Sequence, residues 1–299
     1  NAAGYLAADI TVRDISSLMI TSFSFQHGLT PESTCGLVSY GVVLASHEGK
    51  ISLAYKLGEA SIVIPHRFPD SSKLCEVLLK HGFLIKYWIA HIKHSIPHLY
   101  AAIETGLKAG EYMYTGHAAG HIPLNAFAKG DPIPACLKII DEIMSLVLRI
   151  NDFFTMDIMI SIKHSYSCIA ENLNTRRNNS KTPREHILIP GYGHLKTNNA
   201  ILLFHFNEIL RHYIYQKYSE ALHNIRCIKP FMPLFTGFFY EIDTHFYKSL
   251  IFLALFPVSP KRARARAIAD ARALCEKLEQ YAARCPDNFL YRHALLAAE

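Results

Sequence analysis

The 299-residue chain is poor in the signatures that mark chemistry. It has one tryptophan, only 19% of its residues are charged, and no nucleotide motif occurs in it. There is no G-x-x-x-x-G-K-[ST] loop, no G-x-G-x-x-G, and no kinase H-R-D or D-F-G, so phosphoryl transfer and ATP binding have no location here. A G-x-S-x-G elbow is absent, which removes the usual serine hydrolases. So is the D-D-x-x-D box that an all-helical terpenoid enzyme would carry, and pairs such as Asp141-Glu142 or Asp152 with Asp157 read as solvated helix faces. The histidine-kinase boxes are missing as well, since His164 in Ile162-Lys163-His164-Ser165 lacks their acidic context. The seven cysteines, Cys35 to Cys285, include no C-x-x-C. Scattered thiols of this kind are expected to be buried, in a reducing compartment, and a cytoplasmic location is expected. The most apolar run, Leu250 to Pro257, is far shorter than the roughly 20 residues a membrane helix needs, so no membrane span is expected.

What is present is apolar bulk. Half of the chain is hydrophobic, with 17 Phe and 16 Tyr, enough to build a large core and too much for a disordered chain. The net charge of +6 is modest, and its one concentrated stretch is Lys261, Arg262, Arg264 and Arg266. Positive charge at a helix start opposes the macrodipole and points outward to a partner. Its alanines are strongly helix-forming and Asp270, Glu276 and Glu279 follow, so a solvated surface helix accounts for the stretch and no nucleic-acid partner is expected.

Helical periodicity dominates the chain. Tyr5 to Ile20 suits one or two short helices before Gly28 and Pro31. Helices are predicted over about 33–47 and 50–63, followed by a long amphipathic stretch from Ser72 to Ser95. Others are predicted over 97–108, 111–128, 134–150 and 153–172. A polar, turn-rich loop covers 174–197. Helices resume over 199–215, 218–230, 237–256 and 260–284, and a last one starts at Pro286 with Asp287 as its cap.

A hairpin signature recurs along this series: a Gly or polar turn, then an aromatic or aliphatic residue followed by Ala. Copies read Gly49-Lys50-Ile51-Ser52-Leu53-Ala54-Tyr55, Gly106-Leu107-Lys108-Ala109-Gly110-Glu111-Tyr112, and Tyr215-Gln216-Lys217-Tyr218-Ser219-Glu220-Ala221-Leu222, the last followed at tetratricopeptide spacing by Pro233. A small residue lets two helices pack closely, and one hairpin cannot bury its own apolar face, so several must stack. The expected fold is all-α, with tetratricopeptide-like helical hairpins stacked into a right-handed solenoid over residues 1–299 as one helical-repeat domain. A generic helical bundle with chance Ala and Gly placements is the alternative. The opening Asn1-Ala2 and the ending inside a helical pattern at Glu299 predict a fragment of a longer chain.

Several runs taken together resemble a known family. They are Tyr40-Gly41-Val42-Val43-Leu44 with Ala54-Tyr55-Lys56-Leu57-Gly58, Lys86-Tyr87-Trp88 with His91, Leu107 to Tyr112, Phe246-Tyr247-Lys248-Ser249-Leu250, and Ala283 to Phe289. Their order and pattern are similar to the helical region of large multidomain bacterial signalling kinases. Those proteins join a serine/threonine-kinase-like domain, an AAA-type predicted ATPase, tetratricopeptide-like helical repeats, often a GAF domain, and a histidine kinase. The resemblance implies a non-catalytic protein-interaction and coupling module without catalytic, cofactor-binding or metal residues. Its partner would be a protein, either neighbouring domains of its own chain or another signalling protein. The segment from Asn174 to Pro190 is more basic and irregular than that family's pattern.

Two other functions stay open: a ligand-sensing helical-repeat domain of an ATPase-type transcription regulator, and an all-α enzyme with an unrecognised site. A deep pocket with convergent polar groups would favour the enzyme. Tyr87, Trp88, His91, His94, Tyr112 and Tyr114 are the candidate groove or partner contacts. The spacing of His91, His94 and His98, like that of His117 and His121, puts imidazoles on one helical face. Pro97 interrupts the first group, and neither group has an acid close in sequence.

Overall fold

Linkers of one to four residues separate most consecutive helices, too short for the chain to travel, so each helix folds back along its predecessor. The computed structural model describes residues 10–46, 49–67, 73–174, 188–189 and 193–299. Thirteen α-helices lie among them: α1 (Ile10–His27), α2 (Pro31–Ser46), α3 (Ile51–Val63), α4 (Leu74–Lys80), α5 (Ser95–Ala109), α6 (Tyr112–Lys129), α7 (Ile133–Arg149), α8 (Phe153–Asn174), α9 (Asn198–Ile214), α10 (Tyr218–Ile228), α11 (Phe239–Ala254), α12 (Lys261–Arg284) and α13 (Pro286–Ala298). The described chain is all-helical apart from a ladder in which Leu188 and Ile189 pair antiparallel with His194 and Gly193. Most of the polar stretch 174–197 lies outside the described residues. None of the described helices is long and apolar enough to cross a membrane.

The helices pack in consecutive pairs, most extensively α2 with α3, α5 with α6, and α9 with α10. These are the three hairpins that carry the repeat signature. Their turns hold Gly49 (φ +63°), Gly110 (φ +72°) and Gln216 (φ +56°) in the left-handed region, and the small residues Ala54 and Ala221 are fully buried at the packed faces.

The stretch Ser72 to Ser95 departs from the predicted long helix. Regular α-helix lasts only through α4, and the chain continues as a π-turn (His81–Ile85) and two 3-10 turns, Lys86–Trp88 and Ile92–His94. Two packing demands explain the break. A Cβ on Gly82 would stand 2.5 Å from the His98 Cβ, so the turn is pressed against α5. Beyond it, Tyr87 and Trp88 must face the end of the chain. Pro97 then lies in the first turn of α5, where a missing N–H is tolerated.

Residues 81–92 are the hub of the fold. Phe83 packs edge-on against Phe238 and Phe239. The Tyr87 hydroxyl donates to the Gly237 carbonyl at 3.2 Å, and Trp88 stacks on Phe289 at 5.9 Å. Asn288 completes the junction: its amide donates to the Tyr87 and Ala90 carbonyls at 2.6 and 2.8 Å and accepts from the Ile92 N–H at 3.0 Å. Arg292, one turn on, is ion-paired with the buried Asp243 at 2.5 Å. The residue expected to cap α13, Asp287, sits inside its first turn instead, with Cys285 at the cap.

Further ion pairs are buried among the helices. Lys80 binds Glu76 and donates to Ser39 at 2.8 Å. Arg211 grips Glu208 with two nitrogens at 2.5 and 2.9 Å and reaches the His212 ring at 2.9 Å. All seven cysteines are free. Burial raises their thiols, Cys75 to about 12 and Cys136 to about 11, which keeps them protonated.

One helix is dressed the other way round. On α1 the buried residues are Ser17, Thr21 and Ser24, and the half-buried Ile20 meets α2 at Gly36. Ser17 and Ser24 bond carbonyls of their own helix, and the Ser24 and Ser33 hydroxyls meet at 2.7 Å. The large apolar residues Val12, Ile15, Met19 and Phe23 recur at helical spacing on the other side, with Leu18 and Phe25 beside them, and all are exposed, Phe25 by 70%.

Candidate functional site

The six residues expected to line a groove do not form one surface. Tyr87 and Trp88, only 1% and 5% exposed, are core residues of the junction just described, because a ring flanked by Phe239, Tyr281 and Phe289 gains more from burial than from water. His91 is half-buried, and its Nδ1 accepts from the Lys93 N–H at 3.0 Å. His94 is exposed, and its carbonyl meets the His98 ring at 3.2 Å. Tyr114 is half-buried with its ring 6.5 Å from His117. Tyr112, half exposed, is the member of the six that borders a large cleft.

That cleft has a volume of about 430 Å³ and opens between α6, the α7–α8 turn and the start of α9. Its walls carry Tyr112 and His117 from α6, Asn151 and Asp152 from the turn, and Asn198 and Asn199 from α9. A narrower apolar space of about 40 Å³ continues inward and shares His117, Phe154, Asn199 and Leu234 with it. Together they make a funnel with mostly apolar walls, the larger space as its mouth and the smaller, lined further by Leu202, Leu203, Phe235 and Phe238, as its throat. Volume on this scale suits a small molecule.

Local structure places the polar groups. Asp152 starts α8 by accepting the Thr155 N–H on Oδ1 at 3.0 Å, and its other oxygen is buried without a partner. Gly116 makes room for that carboxylate, since a Cβ there would run into it. Asp157, read from the sequence as solvated, is buried and fixes the start of α9. It accepts the Lys196 and Thr197 N–H groups at 2.9 and 2.7 Å and the Thr197 hydroxyl at 2.9 Å. Thr155, wholly buried on the throat wall, has a hydroxyl with no partner.

His117 and His121 do share one face of α6, and both line the throat. His121 stacks on Phe83 at 3.6 Å and lies 3.3 Å from the Tyr240 hydroxyl. Burial lowers its pKa to about 3, and it lowers that of His117 too, against an opposing pull from Asp152. Both imidazoles are therefore neutral near pH 7. Among the described residues no three His, Cys, Asp or Glu side chains converge as a metal would need. In the other group, His98 meets Lys86 Nζ at 3.2 Å and the His81 ring, while His91 and His94 face away in their own contacts.

Among the described residues the funnel is lined by no Cys, Ser or Lys, and its hydroxyl-bearing residues are Tyr112, Thr155 and Tyr240. The basic stretch of α12 is used locally: Arg264 donates to the Ser259 and Pro257 carbonyls at 2.7 and 2.9 Å and lies over the Phe256 ring.

Sequence reasoning found His117, His121 and Tyr112 but not the residues that complete the funnel with them. Asp152, Thr155, Asn199 and Leu234 come from separate segments, and only the capping pattern Asp152-Phe153-Phe154-Thr155 was a local signal. The chain matches no protein-family model, and none of the curated proteins matches it.

Proposed function

We propose that this chain is a non-catalytic protein-interaction and coupling module, a right-handed stack of tetratricopeptide-like hairpins in a multidomain signalling protein with an AAA-type ATPase and a histidine kinase. The observation that carries the reading is α1. A helix that turns serine and threonine to its neighbour and Ile15, Met19 and Phe23 to water is built to be covered on both sides. The outward apolar face is on the order of 600 Å², at the upper end of what isolated proteins leave exposed. Recognition through such a face needs no titrating residue, which agrees with the absence of catalytic motifs. The consecutive helix pairs, the signature turns and the hub at 81–92 support a scaffold that passes a change at one end to the other through packed helices.

The test has two parts. Sequencing the coding region on either side should reveal a P-loop ATPase before this segment and a histidine kinase after it, and their absence would overturn the signalling context. The chain extended by the preceding encoded helices should then show slower amide exchange along α1 than the chain alone. Equal exchange in the two would refute α1 as a docking face.

A further inference from the structure

We propose that the funnel between α6, α8 and α9 binds an uncharged small molecule with a flat apolar body and a hydrogen-bonding head. This goes beyond the interaction reading, which needs no ligand. The cleft volume of about 430 Å³ falls in the range of sites that enclose small organic ligands. The two spaces share Leu234 and Phe154 as walls, so a molecule bound in the mouth lies against the throat.

The walls select against charge. No Lys, Arg or Glu among the described residues lines either space. Asp152 is the one carboxylate among them, and both its oxygens are turned to the protein, with Oδ1 on the Thr155 N–H and Oδ2 buried beside Gly116. An ion entering the throat would lose its water and meet no counter-charge, which is strongly disfavoured. The mouth offers neutral groups of both senses, since the Asn151, Asn198 and Asn199 amides each carry a donor and an acceptor. Phe154, Phe235 and Phe238 supply faces and edges for a planar ring.

Three probes sharing one ring system separate shape from charge: indole-3-acetamide (neutral), indole-3-acetate (anionic) and tryptamine (cationic), titrated against the whole chain by calorimetry and by amide-resolved NMR. The neutral amide should bind saturably and shift amides of α6, α8 and α9, with the two ions weaker by about tenfold or more. Leu234→Trp, at the half-buried join of mouth and throat, should abolish that binding while leaving the ligand-free melting temperature within a few degrees. Asn199→Ala should weaken it several-fold, which covers the case in which Leu234→Trp disturbs folding. The proposal is overturned by equal binding of all three probes, by saturable binding of none, or by neutral-probe binding that survives Leu234→Trp in a folded protein.

Discussion

Replacing Asn288 by alanine should unseat the end of the chain from the hub at 81–92. Its side chain makes three buried hydrogen bonds to backbone that has already left regular helix: two donated to Tyr87 and Ala90 carbonyls, one accepted from the Ile92 N–H. Alanine leaves all three backbone groups facing a void too tight for free solvation. At about 1–3 kcal/mol for each orphaned group, with the carbonyls at the low end, the loss sums to about 3–5 kcal/mol. For a protein stable by about 5–15 kcal/mol, that is about a fifth or more of the total. Asn288→Asp should cost nearly as much, because a carboxylate still accepts from Ile92 but opposes two carbonyls. The assay is urea unfolding followed through Trp88, the only tryptophan, which stacks on Phe289 beside the substituted residue. Amide exchange at Ile92 provides the local readout. A loss below about 1 kcal/mol, or an Ile92 amide that exchanges no faster, would refute the account.

Acid should weaken the protein well before its carboxylates titrate. Burial holds His81 and His212 at about 4 and His121 at about 3, against 6.5 unfolded. Each binds its proton more weakly when folded, so its contribution is full above pH 6.5 and is lost as pH falls toward 4. Urea midpoints should drop by the equivalent of about 3 kcal/mol per pH unit at the steepest, and a flat profile from pH 7 to 4.5 would contradict the burial of these rings. Gly116→Ala should destabilise by about 1–3 kcal/mol through overpacking against Asp152, and adding Asp152→Ala should recover part of that loss in a double-mutant cycle. If the two effects simply add, the contact is not the cause. Glu208→Gln alone should cost about 3–5 kcal/mol by stranding Arg211, whereas Glu208→Gln with Arg211→Met should cost less. Thermal unfolding of the two variants decides the order.

Much of the fold was legible because hairpins are local. Helix limits from α5 to α12 follow from period and turn residues within a few positions, as at Gly110 and Pro132. What failed to show was whatever depends on distant residues. Ser72 to Ser95 has an unbroken apolar period, and nothing local says that Tyr87 and Trp88 will be claimed by Phe239 and Phe289. The same holds for the site. His117 and His121 stand out by spacing, but the Asn199 and Leu234 that face them are ordinary residues until the turns bring them there. Asp157 looked like a surface acid because its partners, Lys196 and Thr197, lie across the polar loop. On α1 the pattern was read correctly as helical, yet period alone does not say which stripe meets the neighbour.

The tie between the hub and α13 also sets a schedule. Asn288 contacts Tyr87 across 201 residues of sequence, so at about 5–20 residues per second the ribosome needs roughly 10–40 s to deliver the partner after the hub has emerged. For that interval Tyr87 and Trp88 lack Asn288 and Phe289 on an otherwise folding nascent chain. The hub, rather than the late-made α13, is then the more chaperone-dependent part during synthesis.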